Sequence, residues 1–186
     1  MPDDPMDRDG HDFDELVARY LPRLHAYVRL HMGSALRGRE ASRDVVQSIC
    51  REALEERGRF EFQGEGQMVS WLLTAAMNKL RERGRYLARQ KRDPQREQAL
   101  DDIDASAYAE LLTPSMEAVR GERIATLEAA LQRLPDDYRE VIVLARIAGL
   151  PHAEIATRMQ RPMASTRSLL GRAMVRLAEE LGDDDV

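Results

Sequence analysis

Apolar residues recur every three or four positions through the first half of this 186-residue chain, which is the spacing of one face of an α-helix. The first stripe predicts a helix over residues 12–31, and two more predict helices over residues 42–57 and 67–92. Asp93-Pro94 ends the third helix, because a proline disfavours helical geometry in the residue before it. This half of the chain is therefore predicted to be a small helical domain.

A second group of helical stripes fills residues 118–181. Pro135-Asp136-Asp137 opens a helix within this group, and Gly149 is expected to cap the same helix at its C-terminus. A short helix over residues 151–159 and a last helix over residues 162–181 follow. The last two helices are close in sequence, as in a helix-turn-helix motif.

Between the two helical groups, residues 94–117 are acidic and weakly periodic, which indicates a flexible linker with room for one short helix. Because helix formers dominate and β-branched runs are nearly absent, the chain is predicted to be all-α. We expect two small domains, residues 12–93 and 118–181. Residues 1–11 are predicted to be a disordered acidic N-terminus, and residues 182–186 an acidic tail.

The net charge of −5 conceals two basic segments. Residues 79–92 carry seven Lys or Arg and one acid, and residues 155–178 carry five Arg and no acid. The stretch between them, residues 97–117, carries six acids and no Lys or Arg. Separate basic segments favour a polyanionic partner such as nucleic acid, with two solvated helix faces as the alternative.

Several classes of function find no support in the sequence. The lone Cys50 excludes an internal disulfide and a cysteine-built metal site, and the four histidines are scattered. No apolar run approaches the roughly 20 residues that a membrane helix needs, and the acidic N-terminus does not resemble a secretory signal. We therefore expect a cytoplasmic protein without a cofactor, a metal or enzymatic activity.

The last predicted helix has two distinct faces. Leu170, Ala173 and Leu177 fall on one side, together with Met163 and Thr166. The opposite side is small, polar and cationic, formed by Ala164, Ser165, Ser168, Gly171, Arg172 and Arg176. Small residues allow a helix to enter the major groove and arginines bind guanine edges and phosphates, so this face favours DNA binding over an ordinary solvated helix.

The third predicted helix carries a stripe of Asn78, Arg81, Arg85, Arg89 and Arg92. An asparagine among arginines suits base recognition, because its amide can pair with a base edge while arginines hold phosphates. Trp71 precedes the stripe and could stack on an unpaired base, although a core position is the preferred interpretation.

Residues 131–177 resemble region 4 of the extracytoplasmic-function sigma factors, small bacterial members of the sigma-70 family. The matching residues are Leu134-Pro135, Arg139, Gly149-Leu150, Glu154-Ile155-Ala156, Arg167-Ser168, Leu170 and Arg172-Ala173. The resemblance implies binding of the promoter −35 element and contact with the β flap of RNA polymerase. The family usually has a basic residue after the serine, where this chain has Leu169, so we expect a different −35 preference.

Residues 68–86 resemble region 2.3–2.4 of the same family, with Trp71-Leu72, Ala76 and Asn78 in register. The loop at residues 62–66 aligns with the family's loop for a flipped base of the −10 element. Asp44-Val45-Val46-Gln47 resembles the region 2.2 segment that docks on the β′ clamp helices of the polymerase. Region 2 followed by region 4 in one chain is more specific than either part.

The resemblance assigns candidate residues to three surfaces. For core polymerase they are Asp44, Val45, Gln47 and Ser48. For the −10 element they are Phe62, Gln63, Gly64, Glu65, Trp71, Asn78, Lys79, Arg81 and Arg85. For the −35 element they are Ser165, Arg167, Ser168, Arg172 and Arg176.

Region 2.2 of the family is usually acidic, but here Ala41, Ser42 and Arg43 precede Asp44, and Ser48 follows Gln47. Phosphorylation of Ser42 or Ser48 by a Ser/Thr kinase would supply about −1.5 to −2 charges where acids are missing, as in one branch of the family. A conventional anti-sigma factor, or a polymerase surface adapted to weaker charge, is the alternative.

Two other functions are compatible with parts of the chain. A helix-turn-helix regulator with a sensory or dimerising N-terminal domain would explain residues 131–177, but neither residues 44–47 nor the stripe after Trp71. A protein that sequesters another factor is disfavoured by the arginine-rich faces. The sequence therefore favours a promoter-specific sigma factor.

Overall fold

The computed structural model describes residues 5–37, 40–56, 64–89, 108 and 120–182. The chain divides into two compact units, Met1–Asp102 and Ile103–Val186. All the regular secondary structure within the described ranges is helical, which confirms the all-α prediction. No helix there is both long and apolar enough to cross a membrane.

The first unit is built on three packed helices and one short turn of helix. They are α1 (Pro5–His31), α2 (Ser34–Arg37), α3 (Ser42–Glu56) and α4 (Glu65–Arg89). Helices α1, α3 and α4 pack against each other in pairs. The predicted helices are thus present, but α1 includes backbone that the sequence predicted as disordered. An acidic segment without apolar periodicity suggests disorder, yet acids are also favoured at a helix N-terminus.

The core of this unit is formed where the apolar stripes of α1, α3 and α4 meet. Val17, Ala53, Met68 and Leu72 are all buried in one cluster, and the partly buried Cys50 packs against it. Burial raises the pKa of the Cys50 thiol, because the thiolate would lose its hydration. Cys50 therefore contributes to packing as a neutral side chain.

The start of α3 is fixed to α1 by a polar contact. Ser42 is only 1% exposed, and its Oγ lies 2.7 Å from Nε2 of His25. Buried polar atoms are costly without a hydrogen-bond partner, so this pair holds the N-terminus of α3 in place. Glu40, just before α3, also forms an ion pair with Arg83 of α4.

The second unit is organised around its last helix. It contains α5 (Arg120–Arg133), α6 (Asp136–Ile142), α7 (His152–Arg158) and α8 (Met163–Gly182). Helix α8 packs on α5, α6 and α7. Pro135 precedes α6 as predicted, and Gly149 has a φ of +69°, a left-handed conformation that suits a glycine. The predicted C-cap at Gly149 is therefore confirmed.

One feature of this unit does not follow the predicted α-helical period. After α6 the chain widens into a π-helical segment, Val143–Ile147, and the Ala148 N–H donates to the Val143 carbonyl at 2.8 Å. Val143, Leu144 and Ile147 are all completely buried. The segment rotates these apolar residues into the core, which the linear pattern alone could not show.

A tyrosine from the predicted linker belongs to the core of the second unit. Tyr108 is only 1% exposed, and its hydroxyl donates to Oε1 of Glu128 on α5 at 2.6 Å. Glu128 is itself buried. The bounds of 12–93 and 118–181 stay a prediction, but Tyr108 shows that the packed region of the second unit includes a residue outside them.

Candidate DNA-binding surfaces

Helices α7 and α8 are connected by a tight turn. Gln160 in this turn has a φ of +54°, and the Arg161 N–H donates to the Ala156 carbonyl at 3.0 Å. A left-handed residue followed by this hydrogen bond is the geometry of a Schellman C-cap. Arg161 also pairs with Asp137 of α6, so the turn is held against the rest of the unit.

The two faces of α8 are separated largely as predicted. Thr166, Leu170, Ala173 and Leu177 are buried, whereas Ser168, Gly171 and Arg172 on the other side are exposed. Met163 was predicted on the apolar side but is 44% exposed, because it lies at the first residue of the helix and has few neighbours.

Leu169 lies at the position where the family usually has a basic residue. We expected its replacement of a basic residue to change the −35 preference, but Leu169 is only 3% exposed. Its side chain belongs to the core of the unit and does not lie on the exposed face of α8. The buried leucine is not placed to contact DNA, so the expected change in −35 preference rests on the missing basic residue and stays a prediction.

The three candidate arginines of α8 are in different electrostatic environments. Arg167 and Arg172 are exposed, and neither forms an ion pair or a hydrogen bond through its side chain with a described residue. Arg176 pairs with Glu179 at 3.0 Å and with Glu180 at 2.6 Å. The hydrogen bond that Arg176 donates to Glu179, followed by the charge of Glu180, raises the pKa of Arg176. Ser168 is exposed and Ser165 is half-buried.

Helix α4 presents the predicted polar stripe to solvent. Asn78, Arg81 and Arg85 are exposed, whereas Leu72 and Leu80 on the other side are buried. Arg92 lies outside the described residues.

A groove of about 370 Å³ runs along α4 beside the polar stripe. Its lining comprises Glu52, Trp71, Thr74, Ala75, Asn78, Lys79, Glu82 and Arg85. Trp71 packs against the core, as preferred from the sequence, and also lines the groove, so its stacking on a base stays a prediction. The groove brings an aromatic face, an amide and cationic groups together, the combination used for single-stranded bases.

Lys79 is tied to acidic neighbours. Its Nζ forms an ion pair with Glu52 of α3 and lies 3.8 Å from Oε2 of Glu82. The side chain of Lys79 is only 16% exposed, so its charge is largely neutralised within the protein. The sequence did not single out Glu52, because only the packing of α3 on α4 brings it to the groove.

The predicted base-capturing loop is partly described. Phe62 and Gln63 lie outside the described residues. Gly64 has a φ of +104°, which a residue with a side chain rarely adopts, although a Cβ there would meet open space. Glu65 starts α4, and its Oε1 lies 3.3 Å from Nη1 of Arg19. The Glu65 carboxylate therefore already has a cationic partner on α1.

Tyr20 on α1 belongs to the same contact. Burial raises the pKa of Tyr20, and a hydrogen bond with Glu65 adds to the shift. Glu65 thus fixes α1 against the first turn of α4.

The candidate polymerase-binding residues on α3 differ in their exposure to solvent. Asp44 and Gln47 are exposed and Ser48 is half-buried. Val45 is completely buried, so its assignment as a polymerase contact is corrected. Val45 packs in the core of the first unit and holds α3, with its exposed residues, in place. Ser42 is also buried, so a kinase could reach it only after α3 opened locally.

These features define a class of protein. One helical unit contains a helix-turn-helix whose second helix exposes two arginines without ion pairs to described residues, and the other exposes an asparagine and arginines beside a groove. This is a two-unit DNA-binding protein of the helix-turn-helix class.

Comparison with known proteins shows what the chain resembles. Residues 124–177 match the family model described as sigma-70, region 4. The chain is 28% identical over 169 residues to RNA polymerase sigma-H factor of Pseudomonas aeruginosa, covering 89% of this chain and 83% of that protein. It is 27% identical to RNA polymerase sigma factor CarQ of Myxococcus xanthus, covering 95% and 94%. The ECF RNA polymerase sigma-E factor of Escherichia coli strain K12 is 29% identical over 87% of this chain and 82% of its own length.

Solved structures share the fold. The sigma factor RpoE, in complex with the anti-sigma factor NepR from Bartonella quintana, matches with a TM-score of 0.58 and 22% identity, over 92% of this chain and 97% of that chain. CnrH, in complex with the cytosolic domain of CnrY, matches with a TM-score of 0.55 and 23% identity, over 92% and 88%. Residues 124–177 thus match sigma-70 region 4, and the chain resembles extracytoplasmic-function sigma factors over nearly its whole length.

Proposed function

We propose that this chain is a sigma factor that binds core RNA polymerase and directs it to promoters with a particular pair of −10 and −35 elements. The observation that carries the proposal is the exposed basic face of α8, which lies within the residues that match sigma-70 region 4. Such a factor has no chemistry of its own, and it acts in the cytoplasm, where RNA polymerase is.

The second unit is proposed to bind the −35 element. Helix α8 enters the major groove, while α7 crosses the backbone. Exposed Arg167 and Arg172 lack intramolecular partners among the described residues, so their guanidinium groups can bind base edges or phosphates without breaking an ion pair. Ser168 lies beside them on the exposed face.

The first unit is proposed to bind the polymerase and the −10 element. Asp44 and Gln47 on α3 contact the β′ clamp helices, which the resemblance assigns to this segment. Asn78 and Arg85 bind the −10 element along the groove of α4, and Trp71 supports an unstacked base. Lys79 positions α4 on α3 through its ion pair with Glu52 and contributes to the electrostatic potential in the groove.

Regulation is proposed to act on the polymerase-binding face of α3. Arg43 and Asp44 are both exposed there. The acidic cluster usual in region 2.2 is therefore replaced by one positive and one negative charge. Phosphorylation of the half-buried Ser48 would restore negative charge, whereas an anti-sigma factor would cover the surface. The similar sigma factor RpoE is held by an anti-sigma factor, NepR, in its solved structure.

Reconstituted transcription tests the proposed function. The chain is added to core polymerase from its source bacterium together with a library of randomised promoters, and the transcripts are sequenced. We expect transcripts from templates that share two elements at fixed spacing. Asp44→Ala should weaken core binding, whereas Glu55→Ala, an exposed acid on the same helix, should not.

The rival function gives a different result in the same experiment. A helix-turn-helix regulator would bind duplex DNA tightly without polymerase and would not co-purify with the core subunits. That outcome would replace the sigma-factor proposal.

A further inference from the structure

Glu128 of α5 is a carboxylate in the interior of the second unit. It is 7% exposed, and its Oε1 accepts a hydrogen bond of 2.6 Å from the hydroxyl of Tyr108. A buried carboxylate is costly unless hydrogen bonds replace its hydration, so this contact is an integral part of the structure. The donor comes from residues that the sequence predicts to be a free linker.

Two separate observations tie Tyr108 to the second unit. Its ring is almost completely buried, so it contributes apolar burial as well as a hydrogen bond. The compact second unit also begins at Ile103, upstream of Tyr108 and well before α5. The contact with α5 is therefore made by a side chain twenty positions earlier in the sequence.

We propose that Tyr108 anchors the interdomain segment, the residues between Arg89 of α4 and Arg120 of α5, to α5. This anchor limits the spacing between −10 and −35 elements that the protein accepts. The proposal rests on the proposed function for its promoter consequence. With Tyr108 held on α5, the residues between Tyr108 and α5 add nothing to the distance that the connection between the units can span. Only the segment before Tyr108 then connects the two DNA-binding units.

The reach of the connection follows from chain geometry. A polypeptide spans at most about 3.4 Å per residue whatever its conformation. From Arg89 to Tyr108 the chain can therefore span about 65 Å, whereas from Arg89 to Arg120 it could span about 105 Å. The anchor removes more than a third of the maximum reach. A shorter connection restricts which pairs of sites the two units can occupy together.

Insertions on either side of the anchor provide a matched test. Eight Gly-Ser residues are placed between Arg96 and Glu97, before the anchor, or between Thr113 and Pro114, after it. Both full-length chains are assembled with core polymerase and assayed on a promoter selected by the unmodified chain, with its spacer lengthened by up to four base pairs. Each added base pair separates the two elements by about 3.4 Å.

The insertion before Tyr108 should raise transcription from the longer spacers about tenfold, because it lengthens the effective connection. The insertion after Tyr108 should leave the spacer profile unchanged. In a Tyr108→Ala background, the two insertions should become equivalent. Equal profiles for the two insertions in the unmodified background would overturn the proposal.

Hydrogen exchange in the full chain provides a readout that does not depend on a promoter. Tyr108→Phe keeps the ring and removes the donor, so amides of α5 around Glu128 should exchange severalfold faster while those of α8 are unchanged. Glu128→Gln should also speed the exchange of these α5 amides. In the double variant they should exchange no faster than in either single variant, because both changes remove the same hydrogen bond. Unchanged exchange in α5 for both variants would refute the anchor.

The two proposals fail in different ways. If the unmodified chain transcribes no promoter of the library, the sigma-factor function is wrong, and the exchange of α5 still decides whether Tyr108 is an anchor. If transcription depends on the spacer but both insertions behave alike, the anchor is wrong and the sigma-factor function stands.

Discussion

The arginines of α8 are not equivalent, although they share one exposed helix. Arg172 has no ion pair with a described residue, whereas Arg176 is held by Glu179 and Glu180. A guanidinium that already has two carboxylate partners must give up those contacts to bind a phosphate or a base. At the scale of single residues, the neighbouring acids therefore decide which cations are available for DNA.

Arg172→Ala is expected to weaken binding of the preferred −35 sequence by about 1–3 kcal/mol, the usual value of a good base contact. Arg176→Ala is the matched control and should cost clearly less, because Glu179 and Glu180 already engage its guanidinium and leave it less available to DNA. Equilibrium binding of holoenzyme to promoter and to random duplex measures both. If Arg172→Ala weakens the two duplexes equally, Arg172 binds phosphate and does not contribute to specificity.

Gln160 gives a prediction for stability. It occupies the left-handed region at φ +54° and is exposed, so its side chain contributes strain without burial. Gln160→Gly should stabilise the second unit by about 0.5–1 kcal/mol. Glycine relieves the backbone strain, and this gain exceeds the cost of the greater conformational entropy that glycine gives the unfolded chain. Thermal unfolding of the full chain, with Gln160→Ala as the control that gains nothing, tests the expectation. A lower midpoint for the glycine variant would contradict it.

At the scale of elements, the groove on α4 depends on a neighbouring helix. Helix α3 supplies Glu52, which pairs with Lys79 and lines the groove next to Asn78 and Trp71. The same α3 exposes Asp44 and Gln47 on its surface. One helix therefore supports the −10 surface and carries the proposed polymerase contacts, so the two activities share a structural element.

Asn78→Ala should change which −10 sequences are transcribed while binding to core polymerase is retained, because Asn78 is exposed and lines the groove. Sequencing of transcripts from a library randomised over the −10 element provides the measurement. Arg51→Ala, an exposed change on α3 outside the groove lining, serves as the control. An identical −10 profile for Asn78→Ala and the unmodified chain would show that the groove does not select bases.

The two serines of α3 should respond differently to an introduced charge. Ser48→Asp should raise the affinity for core polymerase severalfold, because Ser48 is half-buried on a surface where Arg43 offsets the charge of Asp44. Ser42→Asp should instead destabilise the first unit, because Ser42 is buried against His25. Core-binding titrations and unfolding curves distinguish the two effects. Tight core binding by the unmodified chain would argue against a phosphorylation switch.

At the scale of the whole molecule, charge is segregated along the chain. The basic surfaces of α4 and α8 are separated in sequence by residues 97–117, whose six acids help to set the net charge at −5. Long-range repulsion from a net negative protein opposes non-specific binding to DNA. The acids of this stretch therefore should keep the free protein off DNA until polymerase is bound.

Replacing these six acids with Asn and Gln should increase the affinity of the free chain for random duplex and make it steeply salt-dependent, because the net charge becomes positive. A variant with the same acids in scrambled order within residues 97–117, leaving Tyr108 in place, is the control and should behave like the unmodified chain. Fluorescence anisotropy at several salt concentrations measures the effect. No change in affinity would show that the acids have another role.

Local physical chemistry already determined much of this protein in the sequence. Helical periodicity located the main helices, because each buries one apolar stripe, and Gly149 marked a left-handed cap. The exposed faces of α4 and α8 followed from the same periodicity. The order of the two motifs indicated the family.

The tertiary structure alone decided which of those residues have partners. Val45 and Leu169 are buried, Arg176 is paired, and Glu52 reaches a groove formed mainly by another helix. Tyr108, from a weakly periodic stretch, donates a hydrogen bond to Glu128 of α5. A helical period places a residue on a face, but contacts between residues distant in the sequence depend on how the helices pack, and no local pattern encodes that packing.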